Sequence, residues 1–132
     1  DGGAGNDWLD YSYTGQGVTV DMINGVAVVN NDITGQASTG SNAAIDRFVS
    51  IENINTGSNN DSIVGDGNDN IIYSNNGNDT ISAGTGNDTI DAGDGNDRID
   101  AGDGNDLYTA TNGKTAIESP WALVWIRLIT RL

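Results

Sequence analysis

Six aspartates recur at near-regular spacing in the second half of the chain: Asp61, Asp69, Asp79, Asp88, Asp97 and Asp106. Each closes a short Gly/Asn-rich stretch, and a seventh copy places Asp7 near the start. Asp outnumbers Glu seventeen to two. A helical acidic surface would take Glu, whereas Asp and Asn prefer turns, so these acids sit in turns. The chain has no Cys and no His, which excludes disulfides, thiolate and imidazole metal sites, and His or Cys catalysis. What remains is oxygen chemistry: carboxylates and turn carbonyls, the ligands of a hard cation.

The element that must position each Asp is a nonapeptide, Gly-x-Gly-Asn-Asp-x-Ile with small variations, repeated over residues 56–108. The clearest copies are Ala83-Gly84-Thr85-Gly86-Asn87-Asp88-Thr89-Ile90-Asp91, the nine residues from Ala92, and the run Ala101-Gly102-Asp103-Gly104-Asn105-Asp106. The glycines of the array (Gly57, Gly65, Gly67, Gly77, Gly84, Gly86, Gly93, Gly95, Gly102 and Gly104) supply tight-turn backbone and turn carbonyls. Asn59 and Asn75 stand where Gly is expected, and Asn is the next-best tolerated at positive φ. An aliphatic residue follows each turn: Ile63, Ile71 or Ile72, Ile81, Ile90, Ile99, then Leu107 or Tyr108. A flexible Gly/Asp linker would lack this phased Ile. The Asp steps are 8, 10, 9, 9 and 9, which reads as one slip absorbed around residues 70–73.

At these residues the chain resembles the RTX family, whose nonapeptide Gly-Gly-x-Gly-x-Asp-x-U-x binds calcium. The resemblance implies an all-β fold, a right-handed parallel β-roll (a β-solenoid) with calcium in its turns. Two nonapeptides make one coil, so residues eighteen apart stack about 4.8 Å apart. Asp61, Asp79 and Asp97 then line one edge, and Asp69, Asp88 and Asp106 the other. Three Asp per column define at least four inter-coil sites for Ca²⁺, with Asp7 and the column ends as further, weaker positions. An oxygen-only shell on a flexible backbone favours calcium over magnesium. Asp66, Asp94 and Asp103 are expected to point outward and to contribute carbonyls. The resemblance also implies folding on calcium binding, secretion by the type I route, and service as a stabilising module of a larger secreted protein.

Composition fits that expectation. The net charge is −14 with only five Lys plus Arg, which disfavours nucleic acid as a partner. Low hydrophobicity with high charge keeps the metal-free chain expanded. Residues 1–110 are read as the roll, with 57–110 as the array and 11–56 as a non-repeat strand and loop insert. In the insert, residues 11–13, 18–22, 26–29 and 48–51 are strand candidates, and 30–46 a long loop or widened turn. Residues 111–132 are read as a C-terminal cap, a partner-binding helix or a non-native tail. Ser119-Pro120 is a helix start that would place Trp121, Trp125, Leu128, Ile129 and Leu132 on one face. That stretch is too short and charged to span a bilayer, but its apolar face would drive self-association. The chain opens inside a repeat, as a piece of a longer protein would.

Three functions are weighed. The first is a calcium-binding structural module. The second is a metal-dependent hydrolase, acting for instance on phosphoesters, with an end-site cation and Asp7 or Asp106 as base. The third is an adhesive or glycan-binding surface offering Trp8, Tyr11 and Tyr13, which otherwise cap the core.

Overall fold

The computed structural model describes residues 1–14, 16–29, 45–111, 113, 115–117 and 125–126. Each nonapeptide gives six residues to a turn and three to a strand whose middle side chain points inward. The strands are β1 (Trp8–Asp10), β2 (Val18–Asp21), β3 (Val26–Val29), β4 (Ile45–Arg47), β5 (Asn53–Asn55), β6 (Ser62–Val64), β7 (Ile71–Tyr73), β8 (Thr80–Ser82), β9 (Thr89–Asp91), β10 (Arg98–Asp100), β11 (Leu107–Thr109), β12 (Ala116–Ile117) and β13 (Trp125–Ile126). Successive repeats join opposite sheets. One sheet runs β1-β5-β7-β9-β11-β13, the other β12-β10-β8-β6-β2-β3-β4. Within the roll the pairing is parallel, eighteen residues to a coil, as in Ile72 beside Ile90 and Ile63 beside Ile81. The chain is therefore an all-β solenoid of stacked parallel strands, and no helix occurs among the described residues.

The core is a double file of aliphatic side chains. Ile54, Ile72, Ile90 and Tyr108 descend one sheet, and Val20, Ile63, Ile81 and Ile99 the other, all buried. Between them sit small buried residues at the start of each turn: Thr56, Ser74, Ala83, Ala92 and Ala101. The interior is narrow, and two facing Ile leave room for little else.

Strands β5 to β13 begin at residues 53, 62, 71, 80, 89, 98, 107, 116 and 125, an unbroken nine-residue step. The slip expected from the Asp spacing is absent. Ile72 is the inward residue of β7, and Ile71 faces outward, half-buried. The same step carries the roll into the tail. β12 pairs with β10 and β13 with β11. Trp125 and Ile126 are thus in a strand where a helix was expected, because β12 and β13 continue the nine-residue step of strand starts. Residues 118–124 and 127–132 lie outside the described residues.

The insert is an antiparallel meander. β2 pairs with β6 as part of the roll, then β3 pairs with β2 and β4 with β3, extending that sheet by two strands. Two strand expectations fail here. Residues 11–13 turn away from β1, with Tyr11 buried and Tyr13 exposed. Residues 48–51 belong to the turn half of the repeat that ends in β5, so position overrides β-propensity. The loop expected over 30–46 ends early, since Ile45–Arg47 is β4. Residues 30–44 are outside the described set.

Replacing Ile90, which is 1% exposed, by Ala should cost about 2–5 kcal/mol. The exposed Thr80, replaced the same way, should cost within about 1 kcal/mol. Denaturant midpoints of the two variants in saturating calcium check this. Equal losses would mean that the Ile file is not the core.

Candidate metal centre

The turn that precedes each strand ends on a residue whose side chain tucks back between coils. Five of these are aspartates almost wholly removed from water: Asp61, Asp79, Asp88, Asp97 and Asp106, each at most 3% exposed. Their stacking is fixed by hydrogen bonds of one form. The N–H of Asp61 donates to Oδ1 of Asp79 at 2.8 Å, and the N–H of Asp79 to Oδ1 of Asp97 at 3.1 Å. On the other edge the N–H of Asn70 donates to Oδ1 of Asp88 at 2.8 Å, and that of Asp88 to Oδ1 of Asp106 at 3.0 Å. Asp61 Oδ1 accepts from Val18 N–H at 2.6 Å. Each carboxylate thus spends one oxygen on the coil before it. The second oxygen, Oδ2, is buried without a hydrogen-bond partner in all five.

A buried carboxylate oxygen with no donor is costly. Burial pushes the Asp61 carboxyl up to about 6, and the charge of Asp79 adds to the rise, while the neighbouring Thr56 hydroxyl and then the Val18 N–H oppose it. Burial likewise pushes Asp88 to about 6, reinforced by Asp106, Asp69 and Asp66. Asp79 and Asp97 are raised by burial first and by like charge second, Asp97 and Asp94 being the respective neighbours. A cation between coils would relieve both causes. Among the described residues no three acidic side chains converge on one point, so the stack offers carboxylates in pairs. The remaining ligands would be carbonyls of the turns. There the backbones lie so close that a side chain on Gly102 (φ 84°) would strike the carbonyl oxygen of Gly84. The donor set, all oxygen on a glycine-rich backbone, fits calcium.

The first column is as expected: Asp61, Asp79, Asp97. The second is not. Asp69 is exposed, and its Oδ1 accepts the N–H of Asn87 at 2.7 Å. That is the outward role played by Asn60 for Asn78 and by Asn78 for Asn96. Asn70 takes the column position instead, 1% exposed, above Asp88 and Asp106. The motif Gly65-Asp66-Gly67-Asn68-Asp69 is shifted by one residue against the coil. Its glycines therefore stand one place early, whereas Asn59 (φ 88°) and Asn75 (φ 68°) do occupy glycine positions at positive φ, as expected. Of the other turn glycines, Gly57, Gly77, Gly84, Gly86, Gly93, Gly95 and Gly102 have positive φ. Asp7 is half-buried, with Oδ2 unpartnered. Its N–H donates to Glu52 Oε2 at 2.9 Å. Glu52, which the Asp spacing did not single out, thereby plays the column role in its own coil. Counting back from Asp79 in steps of nine finds Asn70 and then, past Asp61, Glu52.

Asp106 is not an end position, because β12 and β13 stack beyond it. The hydrolase reading thus loses one of its two end-site bases. Of the aromatic trio, Tyr11 is buried. Trp8 stacks on Tyr73 with ring centroids 5.4 Å apart, and both rings stay exposed on the outer face of the sheet. No helix among the described residues is long and apolar enough to cross a membrane.

A sequence model of the RTX calcium-binding nonapeptide repeat, in 4 copies, matches residues 1–12, 50–81 and 73–108, more than half of the chain. No curated protein and no solved structure matches.

The raised carboxyls set a pH dependence for the metal-free roll. Unfolded Asp titrates near 4 or so, and the folded Asp61 and Asp88 near about 6. The folded state therefore binds more protons across that window. Its stability is fully present below the unfolded value and is lost as pH rises through the folded one. In chelator, far-UV circular dichroism should gain β signal on acidification from pH 7 to roughly 4, the window just set. A flat or inverted response would contradict the burial of these carboxyls.

Proposed function

The chain belongs to the RTX calcium-binding nonapeptide repeat family and is a calcium-binding structural module, and on that premise we propose that calcium binding completes its folding. The observation that carries the proposal is the set of five buried Asp carboxylates, each with an unpartnered Oδ2. The pairs Asp61/Asp79, Asp79/Asp97 and Asp88/Asp106 would hold an ion each, and Asp7 with Glu52 makes a fourth carboxylate pair. Bound calcium would supply positive charge and oxygen coordination between stacked coils. The chain's own residues do the rest. The Oδ1 atoms fix the spacing of the coils, the turn backbone offers carbonyls, and the Ile files join once the repulsion is relieved. Because ligands stacked this way do not exist in the unfolded chain, binding free energy becomes folding free energy. We further propose that the module stabilises a larger secreted protein exported by the type I route, an environment where calcium is abundant. Asp69 remains a proposed ligand only through its backbone neighbourhood, since its side chain is engaged outward.

A calcium titration followed by far-UV circular dichroism, with magnesium and chelator controls, tests the proposal. A cooperative, calcium-specific gain of β structure is expected; a chain fully folded in chelator at neutral pH would overturn it. Asp79 belongs to two pairs, so Asp79→Ala should shift the calcium midpoint more than Asp106→Ala. Losing a ligand should cost at least the 10–100-fold or so that losing a ligand's supporting partner costs.

A further inference from the structure

Asn70 stands in a column whose other members below it, Asp88 and Asp106, leave a buried oxygen unpartnered. Its own side chain leaves nothing unpartnered. Oδ1 accepts the N–H of Asp66 at 3.1 Å. Nδ2 donates to the carbonyl of Glu52 at 3.0 Å and to Oδ1 of Asp66 at 3.2 Å. The partners fix the amide's orientation, since an N–H requires the acceptor end, and a carbonyl and a carboxylate require the donor end. The position also loses the negative charge that the other Asp bring. Where the Asp positions pose a demand for a cation, residues 65–70 meet the same demand with protein hydrogen bonds.

We infer that Asn70 replaces a calcium ion: its amide closes the turn over residues 65–70 without metal and interrupts the second ion column between Glu52 and Asp88. This rests on the calcium reading above. Its consequence is an asymmetric array, with two shared-Asp sites in succession on one edge, and on the other a single Asp88/Asp106 site separated from the Asp7/Glu52 pair by a neutral coil. An aspartate at position 70 would have no proton to give the Glu52 carbonyl and would face the Asp66 carboxylate. Only a cation would reconcile the three.

The test is calcium stoichiometry on the full chain, by native mass spectrometry and titration calorimetry, with circular dichroism to confirm folding. If the wild type binds n ions, Asn70→Asp completes carboxylate pairs with both Glu52 and Asp88 and should bind at least n + 1 and up to n + 2, whereas Asn70→Ala should bind n with a lowered denaturant midpoint. A folded Asn70→Asp that still binds n ions overturns the inference. So does Asn70→Ala binding fewer than n, which would make Asn70 a ligand; that variant decides the matter alone if Asn70→Asp does not fold. A wild type that binds no calcium sinks the parent reading as well, whereas a wild type that binds calcium with no gain in Asn70→Asp sinks this one alone.

Discussion

Everything in this fold turns on a carboxylate with one oxygen committed and the other stranded. The Oδ1 bonds of Asp79, Asp97, Asp88 and Asp106 hold the coils at the spacing that the buried file of Ile and the narrow interior require. The same bonds hold the charges where water is excluded. Two ionised carboxylates about 4.8 Å apart repel by about 3–4 kcal/mol at an effective dielectric of about 20. That is comparable with the roughly 1.5–3 kcal/mol gained by burying one Ile. Each repeat with a buried Asp sets one such charge against one core side chain, so at neutral pH the core alone does not decide the outcome. The charge must be removed by a proton or matched by a cation, and the glycine-rich oxygen shell selects which cation.

Much of this was legible in the sequence. The phased Ile announced the solenoid, the Asp61, Asp79 and Asp97 column followed from an eighteen-residue coil, and Asn59 and Asn75 were correctly read as glycine substitutes at positive φ. The errors share one cause. Around residues 65–72 the Asp motif and the inward side chain imply different registers, and the side chain prevails. Gly-Asp-Gly-Asn-Asp over 65–69 looks like a complete turn, but what registers a strand is the burial of Ile72, and that sets position 70, not 69, in the column. A one-residue slip would have turned Ile72 outward, a far larger loss than misplacing a surface Asp. At Trp125–Ile126, the described part of the tail beyond β12, the same count prevails. Ser119-Pro120 and a spaced apolar face are local helix signals, while Ile117 and Ile126 keep the count of nine that began at Ile54.

The insert was less legible because it obeys a different rule. β2 keeps its place in the roll, with Val20 beside Ile63, and only then does the chain double back through β3 and β4. Alternating Val residues report strands without reporting direction, so the antiparallel meander could not be told from further parallel coils. Residues 48–51 show the reverse case: a β-prone run forced into a turn because the next coil must begin at β5.

The bonds that register the columns all point the same way. In each the donor belongs to the earlier coil and the acceptor to the later one. The roll is therefore polar along its axis, and its two ends are chemically unlike. A coil laid bare on its N-terminal side presents carboxylate oxygens, which water or an ion can satisfy. A coil laid bare on its C-terminal side presents N–H groups whose acceptors were the next turn's aspartates. The first kind of end offers acceptors to a cation, and the second offers donors that a further acidic turn would satisfy.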